Sequence, residues 1–140
     1  MELGESVPPI IGKTLQGDLV RIQAASGSPV VLNFFWVDCK PCVKELPLLS
    51  ELEREFPQVE FYAIHVEDVS HQAIEAFINQ LPAAPNRIIA ASPVLKEQLN
   101  ITGLPYTLLL SSEGEVINTF VGYHEAEGVA PLRQALSGLQ

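Results

Sequence analysis

The chain has 140 residues, of which 47% are hydrophobic and 18% charged, and its formal net charge is −9 at pH 7. This length fits one domain with its own hydrophobic core, and we expect a single domain over residues 1–140. The acidic balance argues against nucleic acid or an anionic membrane surface as a partner, because both bind clusters of basic side chains. No apolar run approaches the ~18 residues that would span a bilayer.

The predicted elements begin with a β-hairpin, whose strands lie in 10–15 and 19–23 on either side of the turn QGD. The almost continuous apolar run at 30–36 predicts a central strand that is covered on both faces. Apolar residues at helical spacing then predict a helix over 42–56. A second strand of the buried type is predicted at 59–66.

The middle of the chain continues this alternation. Ser70 is placed to cap a helix whose apolar stripe ends at Leu81. The sequence RIIAA at 87–91 predicts a short strand. The segment SPVLKEQLN at 92–100 has a serine at the cap and a proline at the first helical position, which predicts another helix.

The last third predicts a hairpin and a helix. Strands at 106–110 and 115–121 flank the turn SSEG as an antiparallel pair, and a final helix is expected over about 125–138. The complete order predicts an α/β fold with a central mixed β-sheet and helices on both faces.

The only two cysteines, Cys39 and Cys42, lie in the sequence CKPC, where the strand at 30–36 gives way to a helix. The first turn of a helix has free N–H groups and a partial positive charge, which both favour a thiolate. A cysteine so placed typically has its pKa lowered from about 8.5 to about 3.5–7.5. Lys40 adds a positive charge, which Asp38 opposes. We expect Cys39 to be the more exposed nucleophile and Cys42 to be buried.

Three interpretations of this cysteine pair compete. A structural disulfide that closes so short a loop restricts the unfolded chain very little. A zinc site needs about four ligands, yet there is no second cysteine pair, and His65, His71 and His124 lack ligand spacing. A redox couple is therefore the favoured interpretation, and it requires neither an organic cofactor nor a metal.

The segment VVLNFFWVDCKPCVKELP resembles the active-site segment of the thioredoxin superfamily, in particular its TlpA/ResA-like branch. The segment GLPYTLLLSSEGEVINTFVG at 103–122 is similar to a second segment of that family, which carries a cis-proline. The leading LGESVPPIIGKTLQGDLVRI resembles the N-terminal hairpin of the branch, and residues 67–91 resemble its helix–strand insertion. The resemblance covers essentially the whole chain and implies a thioredoxin fold with these two additions.

The resemblance also implies roles for individual residues. The Leu104–Pro105 bond is expected to be cis and to lie close to the cysteines. Glu45 matches a glutamate of ResA-like proteins, and we expect it to be partly buried, to have a raised pKa and to exchange protons with Cys42; a solvated helix-face carboxylate is the alternative. The remaining expected site residues are Trp36, Leu104, Pro105 and Tyr106 as substrate contacts, and Lys40 and Pro41 as residues that tune the redox couple.

Four positions depart from the family pattern. Asn33 stands where many thioredoxins have a buried aspartate, and an amide does not titrate. Phe35 occupies the place of a tryptophan, and Asp38 precedes the first cysteine, where tryptophan is frequent. Tyr106 replaces the threonine after the cis-proline and is expected to narrow the range of substrates. Among the other polar residues, His65 is interpreted as a strand-end residue with satisfied hydrogen bonds, and Glu67 and Asp68 as surface charges.

The implied activity is thiol–disulfide exchange, in which Cys39 forms a mixed disulfide with a protein substrate and Cys42 resolves it. The branch implies a monomer outside the cytoplasm that reduces specific protein disulfides or haem-attachment cysteines. An upstream electron donor would then reduce its own disulfide again. The start MELGESVPP lacks the segments of a signal peptide, so a cytoplasmic protein stays open beside a chain from which a signal or anchor was removed. Two alternative functions stay open. One is a thiol peroxidase of the same fold, although this sequence lacks the P-x-x-x-T-x-x-C pattern of such enzymes. The other is a non-catalytic binding module or metallochaperone.

Overall fold

Seven strands and four helices make up the part of the chain that the computed structural model describes, which is residues 1–139. Gln140, the last residue of the predicted domain, lies outside the described residues. In chain order the elements are β1 (Ile10–Thr14), β2 (Leu19–Ile22), β3 (Val30–Phe35), α1 (Lys40–Glu55), β4 (Glu60–His65), α2 (His71–Asn79), β5 (Ile88–Ala90), α3 (Val94–Gln98), β6 (Tyr106–Leu110), β7 (Val116–Val121) and α4 (Ala130–Ser137).

All seven strands belong to one mixed sheet with the order β2-β1-β5-β4-β3-β6-β7. Strand β3 pairs in parallel with β4 and antiparallel with β6, and every one of its residues is buried. A strand covered on both faces needs apolar residues at nearly every position, which explains the continuous run in the sequence. The predicted α/β architecture is confirmed.

The two faces of the sheet bury two separate apolar clusters. The first cluster contains Phe34 and Leu108 from the sheet and Leu95 and Leu99 from the segment of α3. The second cluster contains the side chains that α1, α2 and α4 direct at the opposite face, together with both cysteines. Successive residues of β3 point to alternate faces, so Asn33 shares the face of the second cluster.

The N-terminal hairpin joins the sheet through the predicted insertion. Strands β1 and β2 pair antiparallel, and β1 continues onto β5 through the pairs Lys13–Ala90 and Thr14–Ile89. Gly12 permits this contact, because a Cβ atom at that position would lie 2.5 Å from the Ile89 side chain and 2.9 Å from the Ala90 carbonyl oxygen. The hairpin and the insertion therefore extend the sheet together.

Two helix starts differ from the sequence-based expectation. Residues 125–129 form turns, and α4 begins at Ala130. The reason is Gly128, whose φ of 56° lies outside the helical region, while Pro131 suits the first turn that follows. Helix α3 begins at Val94, one residue later than expected, so that Pro93 and not Ser92 is its N-cap residue. The Ser92 hydroxyl still accepts a hydrogen bond from the Val94 N–H at 3.2 Å.

The longest helix of the described part is α1, with 16 residues. No helix within residues 1–139 is long and apolar enough to cross a membrane.

Candidate active site

The two cysteines occupy the junction between β3 and α1. Cys39 is the N-cap residue of α1, and its N–H donates to the Trp36 carbonyl at 3.1 Å. The Cys42 N–H donates to the Cys39 carbonyl at 3.1 Å, which starts the first helical turn. A disulfide joins the two residues across a Cα–Cα distance of 5.4 Å. The structure thus places the pair at the helix start, where a thiolate released on reduction is stabilised.

The two sulfur-bearing residues differ in their access to solvent. Cys39 is 8% exposed, whereas Cys42, in the first turn of α1, is fully buried. This order agrees with the expectation that Cys39 meets the substrate first, although its role as the nucleophile stays a prediction.

A groove of about 450 Å³ runs beside Cys39 and is called the Cys39 groove below. Its lining residues come from the turn before α1, the start of α1, the segment after β4, helix α3 and the loop before β6. The lining residues are Trp36, Asp38, Cys39, Lys40, Pro41, Glu67, Lys96 and Ile101–Leu104. Of the expected site residues, Trp36, Lys40, Pro41 and Leu104 therefore lie together with Cys39.

The loop before β6 contains the expected cis peptide bond, between Leu104 and Pro105. Leu104 packs against the second apolar cluster, which includes both cysteines. Pro105 is buried, and its carbonyl accepts a hydrogen bond from the Gly122 N–H at 2.7 Å. The N–H and C=O of Leu104 have no hydrogen-bond partner within residues 1–139.

The expected substrate contact of Tyr106 is wrong. This side chain is only 4% exposed and belongs to the first apolar cluster, on the face of the sheet opposite the cysteines. Its ring lies 6.4 Å from that of Phe34. The pairing of Phe34 with Tyr106 in neighbouring strands puts both side chains on the same face, so Tyr106 does not line the Cys39 groove.

The indole of Trp36 serves two surfaces. The side chain lines the Cys39 groove and also packs against the second apolar cluster. Its Nε1 atom is buried and has no hydrogen-bond partner among the described residues. Trp36 therefore belongs to the apolar core as well as to the groove in which a substrate contact was expected.

Glu45 is buried, with 7% of its surface exposed, in a small polar cluster on the inner side of α1. Asn33 Nδ2 donates to Glu45 Oε1 at 2.7 Å and to Thr107 Oγ1 at 2.9 Å. Asn33 and Thr107 are paired residues of β3 and β6. Glu45 follows Cys42 by three positions, and residues so spaced are neighbours on a helix surface.

Burial is the main influence on the Glu45 carboxyl group. It raises the pKa of Glu45 from 4.5 to about 7, against the opposing effect of the hydrogen bond from Asn33. The expected burial and raised pKa are thus both present, and the alternative of a solvated carboxylate is wrong. A carboxyl group with this pKa exchanges a proton readily near neutral pH.

Glu45 lines a second cavity, of about 250 Å³, which is called the Glu45 cavity below. Its walls come from β6, β7 and the segment that leads into α4, and they include Thr107, His124 and Glu127. None of its lining residues lines the Cys39 groove. The carboxyl group therefore faces a space that a substrate in the groove does not occupy.

The two charged residues that pair in the groove were not expected there from the sequence. Glu67, interpreted there as a surface charge, forms an ion pair with Lys96 at the end of the Cys39 groove. One signal could have indicated Glu67. It lies two residues after the end of β4, and the carboxyl ends of the parallel strands β3 and β4 meet at one edge of the sheet, beside the cysteines that follow β3.

Within residues 1–139, no group of three or more His, Cys, Asp and Glu side chains is placed to hold a metal ion.

Comparisons with known proteins agree with this geometry. A profile of the AhpC/TSA family matches residues 3–136. The thiol-disulfide oxidoreductase ResA of Bacillus anthracis is 26% identical over 129 residues, which cover 91% of this chain and 74% of the relative. The thioredoxin-like protein YneN of Bacillus subtilis is 28% identical over 125 residues, with 85% and 71% covered.

Solved structures extend the agreement to the fold. A Chlorobium tepidum protein assigned as the thiol:disulfide interchange protein DsbE has a TM-score of 0.84 and 23% identity, and covers 100% of this chain and 99% of its own. StoA from Bacillus subtilis has a TM-score of 0.70 and 26% identity, with 97% and 100% covered. The predicted class, a thioredoxin-like thiol–disulfide oxidoreductase, is confirmed by these relatives and the Cys39–Cys42 disulfide. The chain belongs to the AhpC/TSA family, within the ResA-like branch of the thioredoxin superfamily.

Proposed function

We propose that the protein reduces specific disulfides of other proteins through the Cys39–Cys42 couple, with haem-attachment cysteines of cytochrome c as one substrate class. The observation that carries this proposal is the position of the disulfide, at the start of α1 and beside a groove in which the Leu104 backbone is free to bind. The name of the relative ResA, a thiol-disulfide oxidoreductase, supports the same chemistry.

The proposed reaction has two exchange steps. The Cys39 thiolate of the reduced protein attacks one sulfur of a substrate disulfide, and that disulfide breaks as its other sulfur leaves with the electron pair. Cys42 then attacks Cys39 Sγ, which forms the intramolecular disulfide and releases the second substrate sulfur as a thiolate. The substrate gains two electrons, and the couple is oxidised.

Glu45 has the proposed role of proton acceptor for Cys42. The thiol must lose its proton before it attacks, and the buried Glu45 carboxylate, three residues along the helix from Cys42, would accept that proton. A pKa of about 7 lets Glu45 accept this proton and release it again near neutral pH. Release through the Glu45 cavity leaves the Cys39 groove to the substrate.

The Cys39 groove is proposed to bind an extended substrate segment. The free N–H and C=O of Leu104 would pair with its backbone as in strand addition. An apolar side chain next to the substrate cysteine would then fit between Trp36 and Ile101. The charged lining residues are two acidic and two basic side chains, Asp38, Glu67, Lys40 and Lys96, so the groove has no net charge that would select a charged side chain.

A pair of peptides tests this recognition. We expect a disulfide-bonded peptide with leucine next to its cysteine to be reduced with about tenfold higher kcat/KM than the same peptide with aspartate, because an apolar contact is lost and a charge is desolvated. A peptide with glycine at that position should fall between the two. Equal kcat/KM values for leucine and aspartate would contradict the proposed groove.

The redox potential tests the direction of the reaction. A strong oxidant over-stabilises its reduced form, whereas here Asp38 opposes the positive charges beside Cys39. We expect a midpoint potential near that of thioredoxin, about −270 mV, when the couple is titrated against glutathione buffers. A midpoint above about −180 mV would assign the protein to the oxidases. A protein with this low potential should also reduce insulin disulfides. If it reduces hydrogen peroxide faster than it reduces insulin, the peroxidase alternative is favoured.

Further proposals concern the setting of the enzyme. The chain is proposed to act as a monomer of one domain over residues 1–140, outside the cytoplasm, and without an organic cofactor or metal, because the cysteine pair itself carries the electrons. A separate electron donor would return the disulfide to the dithiol. The resemblance to ResA-like proteins supports each of these points.

A further inference from the structure

His65 is a fully buried histidine directly behind the active-site turn. It is the last residue of β4 and pairs with Phe35, the last residue of β3. Its ring meets the Phe35 ring edge to face, with a distance of 5.3 Å between the ring centres. The Val37 nitrogen lies 3.3 Å from Nε2, and the Glu67 nitrogen lies 3.4 Å from Nδ1. The imidazole therefore lies between the turn that leads to Cys39 and the segment that carries a groove residue.

A neutral imidazole cannot serve both of these backbone amides as an acceptor, because one ring nitrogen carries the proton. Burial lowers the pKa of His65 and outweighs the backbone and the charge of Glu67, which both favour a protonated ring. The ring is therefore neutral near pH 7.5. The Glu67 N–H approaches Nδ1 in the same way, so the two amides compete for one lone pair. The Val37 N–H makes the shorter contact, at 3.3 Å against 3.4 Å, which favours the lone pair on Nε2.

The lone pair on Nε2 is linked to Cys39 through the peptide group between Trp36 and Val37. It accepts the Val37 N–H, and the next hydrogen bond along the turn runs from the Cys39 N–H to the Trp36 carbonyl. No other acceptor for the Val37 N–H is present among residues 1–139. The Val66 N–H donates to the Phe35 carbonyl at 3.3 Å and joins the two strand ends at the same point.

We propose that His65 is a positioning residue for the redox couple: its unprotonated Nε2 accepts the Val37 N–H and holds the turn 36–39, so that Cys39 lies at the start of α1 and opens into the groove. The inference rests on the proposed role of Cys39 as the nucleophile. It goes beyond that role because it assigns the proton of His65 to one ring nitrogen and gives this residue a function in positioning Cys39.

Two substitutions separate the two sides of the ring. In His65→Gln the side-chain oxygen can lie near the place of Nε2, whereas in His65→Asn the shorter side chain brings its oxygen near the place of Nδ1. In a Cys42→Ser background, Cys39 is the only thiol, and its alkylation by iodoacetamide reports its reactivity without any substrate. We expect His65→Gln to keep the parent rate within about twofold and His65→Asn to lower it about tenfold, because small displacements of a reacting group are costly. Equal rates in the two variants, or the reverse order, would overturn the proposal.

The protonation of the two ring nitrogens gives a second readout, because the proposal requires an unprotonated Nε2. Imidazole ¹⁵N chemical shifts of the oxidised wild-type protein at pH 7.5 should show a protonated Nδ1 and an unprotonated Nε2. The opposite tautomer overturns the proposal even if both variants fail to fold. Neither measurement uses a protein substrate, so a failure to reduce disulfides would reject the proposed function while leaving this test intact.

Discussion

Cys39→Ser is expected to abolish disulfide reduction, and Cys42→Ser is expected to accumulate a stable mixed disulfide with the substrate. The reason is the order of exposure: Cys39 borders the groove, whereas Cys42 is fully buried and bonded to Cys39. Loss of the nucleophile should lower the rate by at least about 10³-fold, because serine does not replace a thiolate. Insulin reduction measures the loss, and electrophoresis without reductant detects the mixed disulfide.

The double variant Cys39→Ser/Cys42→Ser is the matched control, and it should trap nothing. Thiolate absorbance against pH in each single variant gives an independent measurement, in which Cys39 should be the more acidic thiol. If Cys39→Ser traps partners and Cys42→Ser does not, the two roles are reversed. Partners trapped by Cys42→Ser would also identify the physiological substrates.

Glu45→Gln is expected to remove a pH dependence of stability between about pH 4.5 and 8. The folded protein binds the proton of Glu45 more tightly than the unfolded chain does, since burial raises the pKa from 4.5 to about 7. Stability is therefore highest when the group is protonated and falls as the pH rises through this window. The shift corresponds to about 3 kcal/mol in the free energy of unfolding, at about 1.4 kcal/mol per unit.

Urea unfolding of the oxidised proteins at pH 4.5 and pH 8 measures this effect. Wild type should lose about 3 kcal/mol more than Glu45→Gln between these two pH values. Glu51→Gln is the matched control, because Glu51 is exposed on the same helix and its substitution should leave the wild-type pH profile in place. Identical profiles for wild type and Glu45→Gln would show that folding does not raise the pKa of Glu45.

The same variant tests the proton-transfer role. Glu45→Gln keeps an oxygen that accepts the hydrogen bond from Asn33 but no longer takes up a proton. We expect slower release of the mixed disulfide near neutral pH and a pH dependence that no longer reflects a group with a pKa of about 7. A variant that keeps the wild-type pH dependence of disulfide exchange contradicts the role but not the effect on stability.

Much of the fold followed from local patterns in the sequence. The continuous apolar run of β3 predicted a strand covered on both faces, and the serine before each of α2 and α3 predicted a helix start. The position of Cys39 and Cys42 at the junction between β3 and α1 followed from the same patterns. The family resemblance added the cis bond before Pro105 and the burial of Glu45.

The contacts that complete the site were decided only by the tertiary structure. Glu45, Asn33 and Thr107 meet because the sheet order places β6 next to β3, although Asn33 and Thr107 are 74 positions apart in the sequence. Tyr106 turned to the opposite face for a related reason, since its pairing with Phe34 sets the direction of its side chain.

The sequence by itself thus determined the redox couple and the elements that present it, because helix starts, strand burial and cysteine spacing are local properties. The tertiary structure decided the surroundings of that couple: the pair of Glu67 and Lys96 in the groove and the contact of His65 with the turn at Val37. These contacts join residues that lie 28 or 29 positions apart. Hydrophobic periodicity specifies which face of a strand or helix is buried, but the order and register of the strands determine which side chains it meets there.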